Sequence, residues 1–414
     1  DGIAHVGWSE GDLHLTERSW APGGTLSEPQ FISPLRTQAG YGAMAADGAG
    51  ATYTAWLHST NGGPAIVEAR RQAADGSLGP VLKLSTTTNN AYGVDLAMNA
   101  AGDAVVVWPR SGGADQYIQA RRISRSGTVG SSLTLSAPGQ QSRRPDVAID
   151  PNGNALVVWD SHPTGPGDSY RVKSRKIRAV GTLGPVQDVA GANQIESPQV
   201  AMDANGNAMV AWISMPSPLS DEHSRVDVRH RSAAGSYEDG FWTVGPSTGS
   251  DARDVRLAMN GAGDAMITWA RFVDGYQEIQ GSFFKAKATA PGDVQTFSVT
   301  GDTYDSQIQQ AGVDANGNAL VAWQLIGNSS KYSVVQARSR AASGTLGPVE
   351  AVGGDLYDGP EAVNPLLGMA PNGTATIIWE DGIDVDTPQQ NKRIVGRRRA
   401  PTGTYRPLVW LDGP

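Results

Sequence analysis

Short apolar runs alternate with short polar ones along the whole chain, and one such pattern recurs from end to end. In its clearest copy, Val-Ala-Ile precedes Asp150, a turn of small and polar residues follows, and Ala-Leu-Val-Val leads to Trp159. Apolar runs of this length, rich in β-branched residues and bounded by turn formers, predict strands. The two runs are close enough in sequence to form a tight β-hairpin.

Each copy of this hairpin has a Gly six residues before a Trp. The copies end at Trp8, Trp56, Trp108, Trp159, Trp212, Trp269, Trp323 and Trp379. The Asp or Asn that opens most of these turns can accept a hydrogen bond from the amide two residues later, while the Gly supplies a positive φ. A calcium loop of the EF type needs several alternating carboxylates and a distal Glu, which these turns lack. We interpret the turn as structural, and we predict no metal site.

A second signature, Gly-Thr-Leu or a variant of it, lies between successive Trp residues. It also occurs eight times, starting at Gly24, Gly76, Gly127, Gly181, Gly235, Gly292, Gly344 and Gly403. An alternating strand with a basic end comes before it, as in Tyr117 to Arg122. Each repeat therefore has four predicted strands: A before the turn, B ending in Trp, C ending in Arg, and D after the second signature.

Four antiparallel strands that recur every 48 to 57 residues are typical of the blades of a β-propeller. We predict an all-β fold, a single β-propeller domain spanning residues 1–414, with eight blades as the first choice and seven as the alternative. A parallel β-helix, the competing repeat fold, has shorter coils and lacks these hairpins. Only seven A strands are visible, near Gly42, Val94, Val147, Val200, Arg256, Gly312 and Leu367. One blade is therefore expected to lack its inner strand.

The blade without an inner strand is the first one, because Asp1 aligns with Asn152 in the middle of the turn. Strand B of this repeat, Ile3 to Trp8, would then have unpaired amides and carbonyls on its inner side. Each such group costs ~1–3 kcal/mol if it is buried without a partner. We expect residues encoded upstream, or a strand donated by a partner chain, to fill the gap.

The repeat Ala-Met-Asp-Ala-Asn-Gly-Asn-Ala-Met-Val-Ala-Trp212 resembles the repeats of NHL-type propellers, which combine an apolar strand, an Asp-x-x-Gly-Asn turn and a second apolar strand. With Gly-Thr-Leu-Gly-Pro-Val it also resembles secreted β-propeller repeat proteins of actinobacteria. The resemblance covers the whole chain and rests on structural positions alone. It implies a propeller with a secreted or cell-surface location, and it carries over no catalytic residue.

The composition excludes several kinds of site and function but does not identify the function. The 414 residues include 51 Gly and 25 Pro, 18% are charged, and Cys is absent. The lack of Cys excludes disulfides and Cys-based zinc sites, and no cofactor is implied. No apolar run approaches the ~20 residues that span a bilayer, so membrane insertion is not expected. A net charge of −8 argues against general nucleic-acid binding, which needs a basic face.

Candidate binding residues lie in the B–C and D–A loops, which emerge on one face of a propeller and here hold most of the length variation. We select Asp160, His162, His223, Tyr304, Asp305, Tyr357, Asp358 and Asp381. Carboxylates that hydrogen-bond hydroxyls, beside aromatic faces that cover sugar C–H surfaces, suit glycan binding. The alternative is that these are ordinary polar loops, because turns favour Asp and Asn.

Other side chains leave alternatives open. His58, His162 and His223 could converge as metal ligands or as a base for polysaccharide elimination, although no spacing motif supports it. The eight Trp residues are interpreted as wedges between blades, with sugar stacking as the alternative. The Arg pairs and triplets at the ends of C strands, such as Arg121-Arg122 and Arg397 to Arg399, predict a solvated rim stripe, or else a site for acidic polymer.

The first hypothesis is a non-enzymatic binding or adhesion propeller that is secreted or on the cell surface. Its ligand, a glycan or a protein partner, would bind on the face of the B–C and D–A loops. The alternatives are a polysaccharide lyase or glycoside hydrolase with a site at the central pocket, and a structural scaffold subunit of a surface assembly.

Overall fold

Strand pairing organises the chain into a series of small sheets. The computed structural model describes residues 2–9, 14–34, 39–59, 63–113, 115–163, 170–192, 194–215, 223–245, 250–273, 275–298, 305–327, 333–354, 361–382 and 392–412. Within these ranges every regular element is a strand, so the predicted all-β class is confirmed. None of these residues belongs to a helix that could cross a membrane.

The strands follow the predicted order of the repeat. They are β1 (Ala4–Ser9), β2 (Leu15–Trp20), β3 (Gln30–Phe31), β4 (Ala39–Ala46), β5 (Thr52–His58), β6 (Ile66–Gln72), β7 (Leu82–Lys83), β8 (Asp95–Met98), β9 (Ala104–Gly112), β10 (Asp115–Ile123), β11 (Leu133–Thr134), β12 (Gln140–Ile149), β13 (Ala155–Pro163), β14 (Tyr170–Ile177), β15 (Leu183–Ala192), β16 (Gln194–Met202), β17 (Ala208–Met215), β18 (Arg225–Arg231), β19 (Trp242–Thr243), β20 (Asp251–Met259), β21 (Ala265–Val273), β22 (Tyr276–Phe284), β23 (Gln295–Thr296), β24 (Asp305–Val313), β25 (Ala319–Ile326), β26 (Ser333–Arg340), β27 (Leu346–Gly354), β28 (Ala362–Met369), β29 (Ala375–Gly382), β30 (Lys392–Arg399) and β31 (Val409–Trp410).

From β4 onwards, consecutive strands pair in fours, A to B to C to D. The groups β8–β11 and β12–β15 are also joined by one parallel bridge, Gln116 to Gln141, which merges them into a single eight-stranded sheet. The first group differs, because β1, β2 and β3 form a sheet of three in which β1 has only β2 as a strand partner among the described residues. Repeated four-stranded antiparallel sheets are the arrangement of propeller blades, and the three-stranded one is where the sequence predicts a missing strand A.

The A–B turns have the predicted chemistry. Asp203 Oδ1 accepts hydrogen bonds from the amides of Asn205 at 2.9 Å and Asn207 at 2.8 Å. The Asn207 side chain donates to the other carboxylate oxygen, Asp203 Oδ2, at 2.8 Å. Gly206 has a φ of 83°, in the left-handed region that favours glycine. The turn is therefore held by hydrogen bonds from its own side chains.

The Trp residues at the ends of the B strands are wedges between sheets, as predicted. Trp108 of β9 is fully buried in a cluster that includes Val67 and Ala69 of the preceding sheet. Trp323 of β25 likewise packs with Ile279 and Phe297 of the sheet before it. With their indoles inside these clusters, the buried Trp side chains stabilise the stack of sheets and are not available to stack on a sugar.

The Arg residues of the C strands do not form the solvated stripe that the sequence predicts. Arg70 donates from NH1 to the carbonyl oxygen of Ile32 at 3.2 Å, and Arg175 donates from NH1 to that of Leu135 at 3.0 Å, in each case reaching the D strand end of the preceding sheet. Arg398 and Arg399 are 2% and 8% exposed. The Arg70 and Arg175 guanidinium groups satisfy backbone carbonyls just after the short D strands β3 and β11, and Arg399 Nε lies 2.9 Å from Glu350 Oε2 of β27, so each of the three joins neighbouring groups of strands.

A β-bulge interrupts the inner strand in most repeats, and the sequence does not predict it. The register of β12 against β13 shifts between Arg143 and Asp146, and β4, β20, β24 and β28 shift at comparable places. Five non-glycine residues in inner strands have a positive φ near 50°: Arg144, Ser197, Asp254, Ile308 and Asn364. A bulge redirects the side chains next to it, and in β12 these include the side chain of Arg144.

Contacts divide the chain into two compact units, residues 1–210 with 230–237 and residues 211–229 with 238–414. The first unit contains the sheets from β1 to β15. The second contains those from β20 to β31.

Candidate functional site

The B–C and D–A loops meet at the same end of the sheets. Ala65, just before strand C of its sheet, donates its amide to Asn90 Oδ1 of the following D–A loop at 2.9 Å. The amide of Gly139 in the next D–A loop donates to Asp115 Oδ2 of a B–C hairpin at 2.8 Å. In the second unit the amide of Ser224 donates to Asp251 Oδ1 at 3.0 Å. At this end of the sheets, the B–C segments are therefore hydrogen-bonded to the D–A loops that follow them in the chain.

Strand β13 brings two of the predicted residues together at this end. Asp160 and His162 are separated by one residue, so their side chains lie on the same face of the strand. Asp160 pairs with Arg143 of β12 on one side and with Val172 of β14 on the other. The surrounding residues define what we call the β13 site: Arg143, Arg144, Asp160, His162 and Tyr170.

Asp160 is a buried carboxylate, 1% exposed, with a cation across the bulge. Arg144 Nε donates to Asp160 Oδ1 at 3.0 Å, and Arg144 NH1 lies 3.7 Å from Glu196 Oε1. Burial raises the pKa of the Asp160 carboxyl above its usual value, and Arg144 opposes that rise. Asp160 Oδ2 has no hydrogen-bond partner in the described part of the chain. One oxygen of this carboxylate is thus anchored by Arg144, and the other is buried, so Asp160 holds the neighbouring arginine in place and is closed to a ligand.

An aromatic pair lies beyond Asp160 on the same face. The rings of His162 and Tyr170 are 4.6 Å apart between centroids and tilted by 38°. Both side chains are partly exposed, and they stand at the end of β13 and at the start of β14. Ser161 donates to Gln140 Oε1 at 2.7 Å, which fixes the neighbouring strand ends. A tilted pair of partly exposed rings beside the guanidinium groups of Arg143 and Arg144 can contact a sugar through its ring faces and its hydroxyls.

Two further predicted residues lie in the second unit. His223 Nδ1 is 3.5 Å from Asp251 Oδ1, and both side chains are more than one-third exposed. Asp381, near the end of β29, is 5% exposed, and its Oδ1 has no hydrogen-bond partner among the residues described. Burial raises the pKa of Asp381 to about 6.

The remaining predicted site residues are not placed. Tyr304, Tyr357 and Asp358 lie outside the described residues. Asp305 begins β24, but its side chain also lies outside the description.

The three histidines do not share a common partner. His58 Nδ1 lies 2.9 Å from Glu68 Oε2, and both of its ring nitrogens are buried, so it is closed to a substrate. His162 contacts Tyr170 and His223 contacts Asp251. In the part of the chain that the structure describes, no group of three or more His, Asp or Glu side chains could hold a metal ion.

Three residues of the β13 site escaped the sequence reasoning: Arg143, Arg144 and Tyr170. Arg143 and Arg144 precede Pro145 within an inner strand, where aligned repeats carry a mixture of residue types. Tyr170 is the first residue of β14. The feature that could have identified Tyr170 is the register of strands B and C, which places the first residue of strand C opposite His162.

No protein-family model matches the sequence, and a search of curated proteins also gave no match. Solved structures do resemble the chain. The BP39L lectin from Burkholderia pseudomallei has a TM-score of 0.54 at 10% identity, over 91% of this chain and 99% of the lectin. A puromycin hydrolase has a TM-score of 0.50 at 15% identity, over 89% of this chain and 53% of its own, so the chain spans about half of that enzyme.

An ulvan lyase of a new polysaccharide lyase family has a TM-score of 0.50 at 12% identity, over 80% of this chain and 90% of the lyase. Such neighbours are β-propeller-like, and at these identities the likeness concerns the fold alone. The chain therefore has a propeller-like architecture, on which binding proteins and enzymes are both found.

Proposed function

We propose that the chain is a glycan-binding propeller and that the β13 site is a binding subsite. The observation that carries the proposal is the His162–Tyr170 ring pair at 4.6 Å, on the face that also presents Asp160. A sugar laid against the Tyr170 ring would meet the Arg144 guanidinium, 44% exposed, as a hydrogen-bonding partner for a hydroxyl. The lectin among the fold neighbours is compatible with this proposal.

A ring of eight blades, secretion and a surface or adhesion role belong to the same proposal. Eight repeated strand groups support the ring, and a match that covers 91% of this chain and 99% of a lectin is in keeping with it. The strand that would complete the first sheet beside β1 also remains a proposal. A density map inspected beside Ile3 to Trp8 in the natural protein would test it.

A glycan array probed with the wild-type chain and with Tyr170→Ala tests the binding proposal. An aromatic contact contributes ~0.5–1.5 kcal/mol, so loss of the Tyr170 ring should weaken binding by up to about tenfold. Trp410→Ala is the matched control, since it removes another exposed aromatic, 40% exposed, from the outer strand β31. If no glycan binds, or if both variants bind as the wild type does, the β13 site is not a glycan subsite.

A second candidate, a polysaccharide lyase, is favoured by the chemistry of the same pair. Imidazole and phenol can act as base and acid, and guanidinium groups beside them can neutralise a uronate carboxylate. The base would remove the proton on the carbon next to the carboxylate. The bond to the leaving sugar oxygen would break as a C=C bond forms, and the acid would protonate that oxygen.

A uronate polymer incubated with the chain distinguishes the two candidates. A lyase produces an unsaturated uronate, seen as a rise in ultraviolet absorbance that Tyr170→Phe and His162→Ala should abolish. A binding protein retains the polymer with no change in absorbance.

A further inference from the structure

Two of the eight repeats have an aromatic ring at the same position, the third residue after the Trp of strand B. That residue is His162 in β13 and Phe272 in β21. The other six repeats have Gly11, Ser59, Ser111, Met215, Ile326 and Gly382 there. A ring at this end of strand B therefore distinguishes two repeats from the rest.

The inner strands of the same two sheets share an arginine. It is the residue just before the bulge residue with a positive φ, Arg143 in β12 and Arg253 in β20. At the same place β16, β24 and β28 have Glu196, Gln307 and Val363. In both sheets the arginine pairs with the residue that follows the Trp, so the two registers agree. The ring of strand B and the arginine of strand A thus occur together.

The ring and the arginine of the second sheet lie on one face, together with Asp251. Asp251 pairs directly with Phe272, and Arg253 is two residues farther along β20, so its side chain is on the same side. Arg253 Cζ is 5.4 Å from the centre of the Phe272 ring, a cation–π contact. Phe272 is partly exposed and Arg253 is exposed, so solvent reaches this contact.

The B–C segment before β18 adds polar groups beside Asp251. The amide and the hydroxyl of Ser224 donate to Asp251 Oδ1 at 3.0 Å and 3.2 Å, and His223 Nδ1 lies 3.5 Å from the same oxygen. Burial raises the pKa of the Asp251 carboxyl, but the hydrogen bonds from Ser224 and the neighbouring His223 outweigh it and lower the pKa below its usual value. The Asp251 side chain is 39% exposed. It is therefore a fixed, ionised and accessible acceptor for hydroxyl groups.

From the correspondence of the two sheets we infer that His223, Asp251, Arg253 and Phe272 form a second sugar-binding site, the β21 subsite. The inference rests on the proposed glycan binding and adds a second binding position for the same class of ligand. A phenyl ring covers the C–H groups of a sugar, a guanidinium donates to its hydroxyls, and a carboxylate accepts from them. All four residues belong to the second compact unit, whereas the β13 site belongs to the first.

Native mass spectrometry, which counts the ligands bound per chain, tests the inference with four probes: cellotriose, maltotriose, chitotriose and trigalacturonic acid. Wild-type chain should bind about two molecules of at least one trisaccharide. Phe272→Ala and Tyr170→Ala should each reduce the number to about one, and the double variant should bind none, because the two sites are independent. Arg253→Gln should weaken binding of one of the two molecules by about tenfold.

Tyr276→Ala is the matched control. Tyr276 is an exposed aromatic residue of the same hairpin, and because it pairs with Val273, its side chain lies on the face opposite to that of Phe272. This variant should bind as the wild type does. Phe272→Leu keeps an apolar side chain in the partly buried position without the ring, and it should also lose one of the two bound molecules. Thermal unfolding of each variant verifies that the fold is retained.

Each contrary result has a separate meaning. A wild-type chain that binds a single trisaccharide, with no effect of Phe272→Ala or Phe272→Leu, would overturn the β21 subsite and leave the β13 site intact. Equal loss with Tyr276→Ala would also overturn it, since the face of the hairpin would then not matter. Binding that Phe272→Ala abolishes and Tyr170→Ala leaves unchanged would support the β21 subsite and overturn the β13 site. The absence of binding to all four probes would overturn the proposed function together with this inference.

Discussion

Arg144 and Asp160 form an ion pair across a β-bulge, with 3.0 Å between Arg144 Nε and Asp160 Oδ1. The backbone of Arg144 has a φ of 47°, in the left-handed region that β strands avoid. The Asp160 carboxylate is buried, whereas the Arg144 side chain is 44% exposed. The bulge thus turns a surface arginine towards the buried Asp160 carboxylate, in addition to Arg143, which lies directly across from Asp160 in the sheet.

Removing this cation should destabilise the fold in a pH-dependent way. We expect Arg144→Gln to lower the free energy of unfolding by ~1–3 kcal/mol at neutral pH, less than for a fully buried pair because Arg144 is half in solvent. Without Arg144 the pKa of Asp160 should rise further above its usual value. The loss should therefore vanish once pH falls far enough to protonate Asp160 in the folded state.

Urea unfolding of wild type, Arg144→Gln, Asp160→Asn and the double variant gives the coupling between the two side chains. Asp160→Asn should lower the free energy of unfolding less than Arg144→Gln does, because a neutral amide needs no countercharge. Equal losses at acid and neutral pH would contradict an electrostatic role for Arg144.

Asp381 should make the chain less stable as pH rises. Its pKa of about 6 in the fold exceeds the ordinary value of 3.8, so the neutral acid is the form that the fold favours. The stabilisation from this group is complete below about pH 4 and is lost as pH rises through about 6. Asp381→Asn keeps the neutral form at every pH. Relative to wild type, the free energy of unfolding of this variant should increase by about 3 kcal/mol between pH 4 and pH 8, measured by urea unfolding. A difference that is constant with pH would show that Asp381 titrates normally.

The buried indoles between sheets should dominate stability. Trp159 is fully buried in a cluster with Val107 and Ile118 of the preceding group of four strands, β8–β11. Trp159→Ala should cost ~3–5 kcal/mol, the range for a large aromatic removed from a core. Trp410→Ala, on an outer strand and 40% exposed, should cost less than about 1 kcal/mol. Denaturant midpoints of the two variants compare them directly, and similar losses would rule out the wedge role.

The glycine of an A–B turn should resist substitution. Gly206 has a φ of 83°, and an added Cβ would lie 3.1 Å from Asp150 Oδ2 of the neighbouring turn. Strain and crowding together should make Gly206→Ala cost ~1–3 kcal/mol. Gly23→Ala is the control, because an added Cβ there meets nothing within 4 Å and its φ is not positive. That variant should be neutral or stabilising by up to ~1 kcal/mol, and thermal unfolding would distinguish the two.

The candidate site could be predicted only in part. Asp160 and His162 stand out because they follow a recognisable strand and are chemically suited to sugars. Tyr170 belongs to the next strand, and only the pairing of β13 with β14 places it beside His162. Arg143 and Arg144 lie in an inner strand whose apolar pattern gives no reason to expect exposed cations. Tyr304, Tyr357 and Asp358 stay predictions.

The sequence by itself determined the all-β class, the order of strands in each repeat, the A–B turns and the buried Trp positions. These features depend on local periodicity and on the turn chemistry of a few adjacent residues, which every repeat carries. Tertiary structure decided the rest: the bulge that turns Arg144 towards Asp160, the ring contact between His162 and Tyr170, and the arginines that join neighbouring sheets. Each of these results from packing and register between segments distant in sequence, where burial and unpaired backbone groups outweigh local preference.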